Sequence, residues 1–319
     1  LSAVGGGWES PRMLAMLAVL AMLAMPTQAA PVPPPAHRAQ LAAKLESDLQ
    51  RLAAAAPGVA GISVVDLSSG QRFGVNEGLV FPQGSAIKIP ILIELYRRAD
   101  VGELKLTDRL PVRRDNQVGG SGLLQYFSDG GSEMSLHDLA VAMIVLSDNS
   151  ATNILIDRLG MDRVSRTMSE LGAGQTKLQR KMIRPEESAK GNENLSTPAE
   201  AADLMVRIAR CQLPLAAASC ASLKSILEIP KSGAFREPIP ASVRVAWKPG
   251  GIEGAQTAWG LVDVPGAPYA ITIMINYGPD DLDAPMREIS SAVFKYFAQV
   301  ARTTPHGTRV PLEYIKKVH

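Results

Sequence analysis

Apolar residues recur along this chain with two different periods, and each change of period marks a change of element. Leu41, Leu45, Leu49 and Leu52 fall at helical spacing, so His37 to Ala56 predicts an amphipathic helix stopped by Pro57-Gly58. Val59 to Asp66 is rich in β-branched residues, Ser68-Ser69-Gly70 is a turn signal, and with Gln71 to Val75 the stretch predicts a β-hairpin. A helix follows from Ser85 to about Arg98, and its Pro90 is tolerable only near the first turn. Leu104 to Ser132, with many Gly, Asp and Asn residues, predicts mostly irregular chain. Ser135-Leu136-His137-Asp138 resembles a capping box with aspartate in the usual glutamate position, and it opens a helix through Leu146. That helix is apolar nearly all round, which suggests the buried axis of a helical region. A second helical run spans Ala151 to Leu159, and a long polar loop from Gly172 to Asn194 carries Arg180, Glu186, Glu187 and Asn194. Thr197-Pro198-Ala199-Glu200 then combines an N-cap threonine, a proline at the first helical position and a glutamate two residues on. The helix it starts runs to about Cys211, and another spans Ala221 to Leu227.

Beyond this point the period shortens. Val243 to Trp247, Thr257 to Val264 and Tyr269 to Tyr277 predict three strands separated by Gly-rich or Pro-Gly turns. A last helix begins near Asp283, with Ile289, Val293, Phe294 and Phe297 on one face, and the tail from Thr303 to His319 shows no pattern. Strands at both ends and helices between them suggest one mixed sheet built from both ends of the chain, with a helical region inserted.

The first thirty residues fall outside this scheme. Met13 to Met25 is an unbroken apolar run too short to span a bilayer, and Pro26-Thr27-Gln28-Ala29 ends in a small residue. This predicts a signal peptide over residues 1–29, although Arg12 is the only basic residue ahead of the run. Residues 30–36, containing Pro31 to Pro35, read as an extended linker. The expected product is exported, periplasmic or secreted, with no stable membrane insertion once the signal is removed. Export would place Cys211 and Cys220 in an oxidising compartment, where a disulfide between them closes a short loop.

Charge narrows the functional classes. Among 319 residues there are 33 Lys plus Arg and 31 Asp plus Glu, a formal net charge of +2, so no strong field favours nucleic acid. His37, His137, His306 and His319 are scattered and far from both cysteines, which leaves no metal-ligand spacing; neither metal nor cofactor is expected.

Candidate chemistry centres on Ser85-Ala86-Ile87-Lys88. In a helix beginning at Gly84 or Ser85, Ser85 and Lys88 share the face of the first turn, close enough to hydrogen-bond. A serine hydroxyl becomes a useful nucleophile when a neighbour takes its proton, and a lysine can do so once burial or a second cation lowers its pKa. By itself the spacing is usually a helix cap followed by a solvated lysine. Two further elements stand with it: Ser147-Asp148-Asn149, which alone would read as a polar helix end, and Lys248-Pro249-Gly250, which alone would read as the exit of a strand.

In this order and at these separations the three elements resemble the S-x-x-K, S-D-N and K-T-G motifs of the class A β-lactamases and the wider penicillin-recognising serine hydrolases. The resemblance covers nearly all of the chain after the signal. It implies an α+β fold, β-lactamase-like, with an antiparallel five-stranded sheet flanked by terminal helices and an inserted all-helical subdomain. The catalytic domain would be 37–302, its α/β part about 37–82 and 230–302 and its helical part about 83–229, followed by a tail over 303–319. It also implies roles. Ser85 would be acylated, Lys88 would accept its proton, Ser147 would pass a proton between Lys248 and the leaving nitrogen, and Asn149 would bind the substrate's side-chain amide. Gly250 would line the substrate site, and the N–H groups of Ser85 and Gly251 would form an oxyanion hole, each donor contributing about 3 kcal/mol. Lys248 would hold Lys88 deprotonated and attract an anionic substrate.

The chain departs from the family pattern in three places. Counting from Arg180, Met182 stands where class A enzymes carry the glutamate that activates the deacylating water, and Glu186 and Glu187, the candidate substitute bases, lie nearby but out of register. Pro249 replaces the threonine that grips the substrate carboxylate, and the strand containing Gln256-Thr257-Ala258-Trp259 carries no arginine for the same group. The expectation is a monomeric serine hydrolase acting on a small β-lactam or another acyl substrate. The alternatives are an esterase or peptidase of the same fold and a slowly deacylating penicillin-binding or sensor protein.

Overall fold

The computed structural model describes residues 36–315. The expected signal over 1–29, residues 30–35 of the linker and residues 316–319 lie outside the described residues. Helix α1 spans Ala36–Ala55, and strands β1 (Val59–Asp66) and β2 (Arg72–Val75) follow as a hairpin. Next comes the helical region: α2 (Lys88–Asp100), α3 (Leu136–Val145), α4 (Asn149–Leu159), α5 (Met161–Glu170), α6 (Pro198–Ala209) and α7 (Ala217–Glu228). The chain then returns to the sheet as β3 (Arg244–Ile252), β4 (Ala255–Asp263) and β5 (Tyr269–Asn276), and α8 (Asp283–Val300) closes it.

The strand order is β2-β1-β5-β4-β3. Element order alone suggests a mixed sheet, but every pair is antiparallel, because the pairing of the two chain ends runs from Val59 opposite Asn276 to Asp66 opposite Tyr269. Both faces of this sheet are covered. Ile62, Val64, Trp247, Ile271 and Ile273 point into one core with Leu49 of α1 and Phe297 of α8. The intervening positions Val65, Ala246, Ala270 and Met274 point into the other, against the helical region. Double burial explains why β1 reads as a near-continuous apolar run instead of a strict alternation. Each large side chain so buried contributes about 1.5–3 kcal/mol.

The axis of the helical core is α2, and not α3 as its all-round apolarity suggests. Every residue of α2 from Lys88 to Tyr96 is buried, whereas His137 and Asp138 of α3 face solvent. Pro90 sits third in α2, within the first turn, where proline is tolerated. Helix α5 is not assigned from the sequence, although Met161, Val164 and Met168 fall at helical spacing; only Val164, Thr167 and Met168 of its ten residues are buried. Thr197 caps α6 as its motif predicts, with Glu200 N–H donating to Thr197 Oγ1 at 3.2 Å. Cys211 and Cys220 are disulfide-bonded and join the end of α6 to α7. Among the described residues no helix is long and apolar enough to cross a membrane.

Candidate active site

Ser85 lies in a short 3-10 turn, Gly84–Ile87, that runs directly into α2. The turn is fixed from behind by Gln83, whose side chain is fully buried. Gln83 Nε2 donates to Phe81 O at 2.8 Å, its Oε1 accepts from Trp259 Nε1 at 2.9 Å, and its carbonyl accepts from Thr257 Oγ1 at 2.9 Å. Two glycines then let the turn close onto β3. Gly84 has φ +49°, and a β-carbon there would stand 2.7 Å from Gly251 N; at Gly250 it would stand 2.2 Å from Gln83 O. Ser85 is thereby held beside the backbone of Gly251, and both residues line one cleft of about 590 Å³.

Lys88 follows one turn later and is fully buried. Its Nζ donates to Ser147 O at 2.7 Å, Ser147 Oγ at 3.1 Å and Asn149 Oδ1 at 2.9 Å. The expected bond between Ser85 and Lys88 is not among these, because the ammonium already spends its three donors on the segment joining α3 to α4. Lys248, equally buried, donates to the same Ser147 Oγ at 3.0 Å and to Pro249 O at 2.9 Å. Burial pushes Lys88 from 10.5 down to about 7, while Asp148 pulls the other way. Lys248 is pushed well below its ordinary value, by burial first and then by the cations Lys88 and Lys231. Burial is therefore the main agent for Lys88, where the motif reading assigned that task to Lys248.

The Ser147-Asp148-Asn149 segment is a helix end and a helix start at once. Ser147 takes a left-handed backbone (φ 52°) immediately beyond α3, a common helix stop. Asp148 caps α4, accepting from Ala151 N at 2.8 Å with one oxygen, and holds Leu123 N (2.6 Å) and Leu124 N (2.9 Å) with the other. Asn149 Nδ2 donates to Gly119 O at 3.1 Å, so the loop bearing Gly120 and Ser121 is drawn to the cleft. With both lysines donating to Ser147 Oγ, that oxygen's lone pairs are occupied and its O–H is left to donate elsewhere.

The long loop forms the opposite wall. Met182 lines the cleft with Ser85, and its backbone is held by Asn153 through N–H to Oδ1 (2.8 Å) and Nδ2 to O (3.3 Å). Neither candidate substitute base, Glu186 or Glu187, is among the residues lining the cleft, in keeping with their lying out of register. Glu187 binds Lys190 and Asn192 at 2.7 Å each, and exposed Glu186 lies 3.9 Å from Arg184. Glu193 does line the cleft, but its carboxylate is paired with Arg180 at 3.0 Å. Lys248-Pro249-Gly250 lies inside the nine-residue strand β3, beyond the predicted strand end at Trp247, and β3 is an edge of the sheet where proline is tolerated. Asp148 and Asn194 appear in the sequence as part of the Ser147-Asp148-Asn149 element and of the long loop, but without these roles; Gln83 and Asn153 carry no motif signal. Among the described residues no His, Cys, Asp and Glu cluster could hold a metal. A groove of about 640 Å³ between α1 and α8 is lined mainly by charged and polar residues and is separate from this chemistry.

Comparison with known proteins gives the family and the fold. The family model described as "Beta-lactamase enzyme family" matches residues 44–297. A β-lactamase of Rhodobacter capsulatus is 31% identical over 138 residues, 43% of this chain and 46% of that protein. The chain spans about half the length of the first curated relatives it matches. A β-lactamase structure from Sphaerobacter thermophilus superposes with a TM-score of 0.72 at 28% identity, covering 82% of this chain and 98% of that one. A mutant of PBP-A, solved as an acyl-enzyme complex with penicillin G, gives 0.74 at 27% identity, covering 84% of this chain and 100% of that one.

Proposed function

The chain belongs to the beta-lactamase enzyme family, and from that premise we propose that it is an exported, monomeric serine hydrolase that opens the β-lactam amide through an acyl-enzyme on Ser85. The observation that carries the reading is the meeting of two fully buried lysines, Lys88 and Lys248, on Ser147 Oγ at 3.1 and 3.0 Å, in the cleft that holds Ser85. Neutral Lys88 takes the Ser85 proton as Oγ bonds to the carbonyl carbon. The developing oxyanion is met by the N–H groups of Ser85 and Gly251. As the C–N bond breaks, Ser147 gives its proton to the leaving nitrogen and is re-protonated from the lysine pair. Asn149 orients the acyl side chain, and the substrate lies against β3 beside Gly250 and Gly251, where the space a Gly251 β-carbon would take is open. Water then adds to the ester, the acid leaves and the proton returns to Ser85.

A second reading, a protein that is acylated and released slowly, draws on Met182. The cleft wall over Ser85 carries a thioether where a water-activating carboxylate would stand, and the carboxylate of Glu193 is tied to Arg180. The same test serves both readings. With a chromogenic cephalosporin, purified protein should give a burst of one equivalent, then slow turnover, with the added mass on Ser85, and Ser85→Ala should give neither. Fast turnover without a burst would reject slow release, and an adduct on another residue would reject the site. Ester cleavage with no cephalosporin signal would move the substrate to another acyl class.

A further inference from the structure

The loop opposite Ser85 contains a backbone anomaly that acyl transfer does not require. Ile183 sits at φ 56°, in the left-handed region that β-branched residues almost never occupy. Its neighbours leave it no alternative. Met182 is clamped at both N–H and C=O by Asn153, which is buried. Arg184 precedes Pro185, the first residue of the turn Pro185–Ser188, and is held at φ −132°, ψ 71°, as a residue before proline must avoid the helical region. Between these fixed points the chain reverses at Ile183.

A loop that needed only to reverse would carry glycine or asparagine there. The isoleucine instead reaches across the cleft: its Cδ1 lies 3.4 Å from the place a β-carbon on Gly120 would occupy, while the residue remains 48% exposed. The cleft it shares with Ser85 is lined by the apolar Met182, Pro185 and Ile252 and also by polar residues, of which Arg180 and Glu193 are paired with each other. Strain at a residue that lines the same cleft as a reactive serine is of the kind kept for a task in binding.

We propose that Ile183 is a specificity-determining residue: strapped across the cleft from the 180–185 loop to Gly120, it closes the acyl side over Ser85 and selects donors with an apolar acyl chain. The inference rests on the reading of Ser85 as the acylated nucleophile. Its test uses matched p-nitrophenyl esters that differ only in the acyl group, acetyl, phenylacetyl or succinyl. Phenylacetyl is expected to exceed both others in kcat/KM by about 10-fold or more. Ile183→Leu should keep that preference. Ile183→Asn, which suits a left-handed backbone, should lose most of it while Tm holds or rises. A preference that survives Ile183→Asn, or one that is lost only in step with a falling Tm, overturns the proposal. Fluorophosphonate labelling separates the two levels. Label on Ser85 in every variant without acyl preference overturns the strap alone, whereas no label on wild-type Ser85 overturns the nucleophile and the strap with it.

Discussion

Lys88 shows how one residue's chemistry depends on where its protons are directed. Protonated, it satisfies Ser147 O, Ser147 Oγ and Asn149 Oδ1 and has nothing for Ser85. Neutral, it gains a lone pair that can accept the Ser85 proton. Because burial lowers it to about 7, the acylation rate should climb through about pH 7 and level off above it. The sign follows from the depressed pKa: the active, unprotonated form is gained as pH rises. Single-turnover labelling of Ser85 from about pH 5 to about pH 9 checks this, and a flat profile would remove Lys88 from the role. Since Lys88 and Lys248 meet on one oxygen, the apparent value belongs to the pair. At this scale Ser85, Lys88, Ser147 and Lys248 were legible, because motif spacing reports which residue types share a site. The absent bond from Lys88 to Ser85 was not, since it depends on acceptors 59 and 61 residues away.

Among the elements, the α3–α4 junction does most to shape the cleft. Ser147 and Asn149 flank Asp148, whose two oxygens cap α4 and hold the backbone at Leu123 and Leu124. Asp148→Ala should therefore cost about 2–4 kcal/mol, the sum of a lost cap and two N–H groups left without acceptors. It should also slow acylation as Ser147 and the 119–124 loop lose their register. Urea unfolding at unchanged m-value measures the first effect; a loss below about 0.5 kcal/mol would show that the junction is held otherwise. The capping boxes and amphipathic helices were readable because their signals are local. Strand β3 was cut short at Trp247, because Lys248-Pro249-Gly250-Gly251 carries turn residues, and only the sheet order shows that an edge strand can accommodate them. Helix α5 goes unassigned although Met161, Val164 and Met168 fall at helical spacing, because polar residues fill the rest of its ten positions.

Across the whole molecule, the site joins parts of the chain that no local signal connects. Gln83 before the nucleophile takes Asn194 O as a backbone acceptor at 2.8 Å, and Asn194 Oδ1 in turn accepts from Gln179 and Arg180 N–H. Pairing of Phe81 with Ser196 and the clamp of Asn153 on Met182 complete the frame. The long loop is thus fixed relative to Ser85 at both ends and in its middle, which gives residue 182 a defined place over the cleft. Met182→Glu should place a carboxylate there and speed deacylation by about 10²–10⁴-fold, the range of a general base. Met182 is only 5% exposed, so the new carboxylate is also expected to lower Tm, because an incompletely hydrated charge opposes folding. Glu186→Gln and Glu187→Gln should leave deacylation unchanged, since both residues stand outside the cleft on Arg184, Lys190 and Asn192. Mass spectrometry of the acyl-enzyme over time distinguishes these outcomes. If either glutamine variant traps an adduct that wild type clears quickly, the loop rearranges on acylation and that glutamate is the base. If Met182→Glu folds and clears its adduct no faster than wild type, position 182 does not command the water, and the slow step must be sought in Lys88.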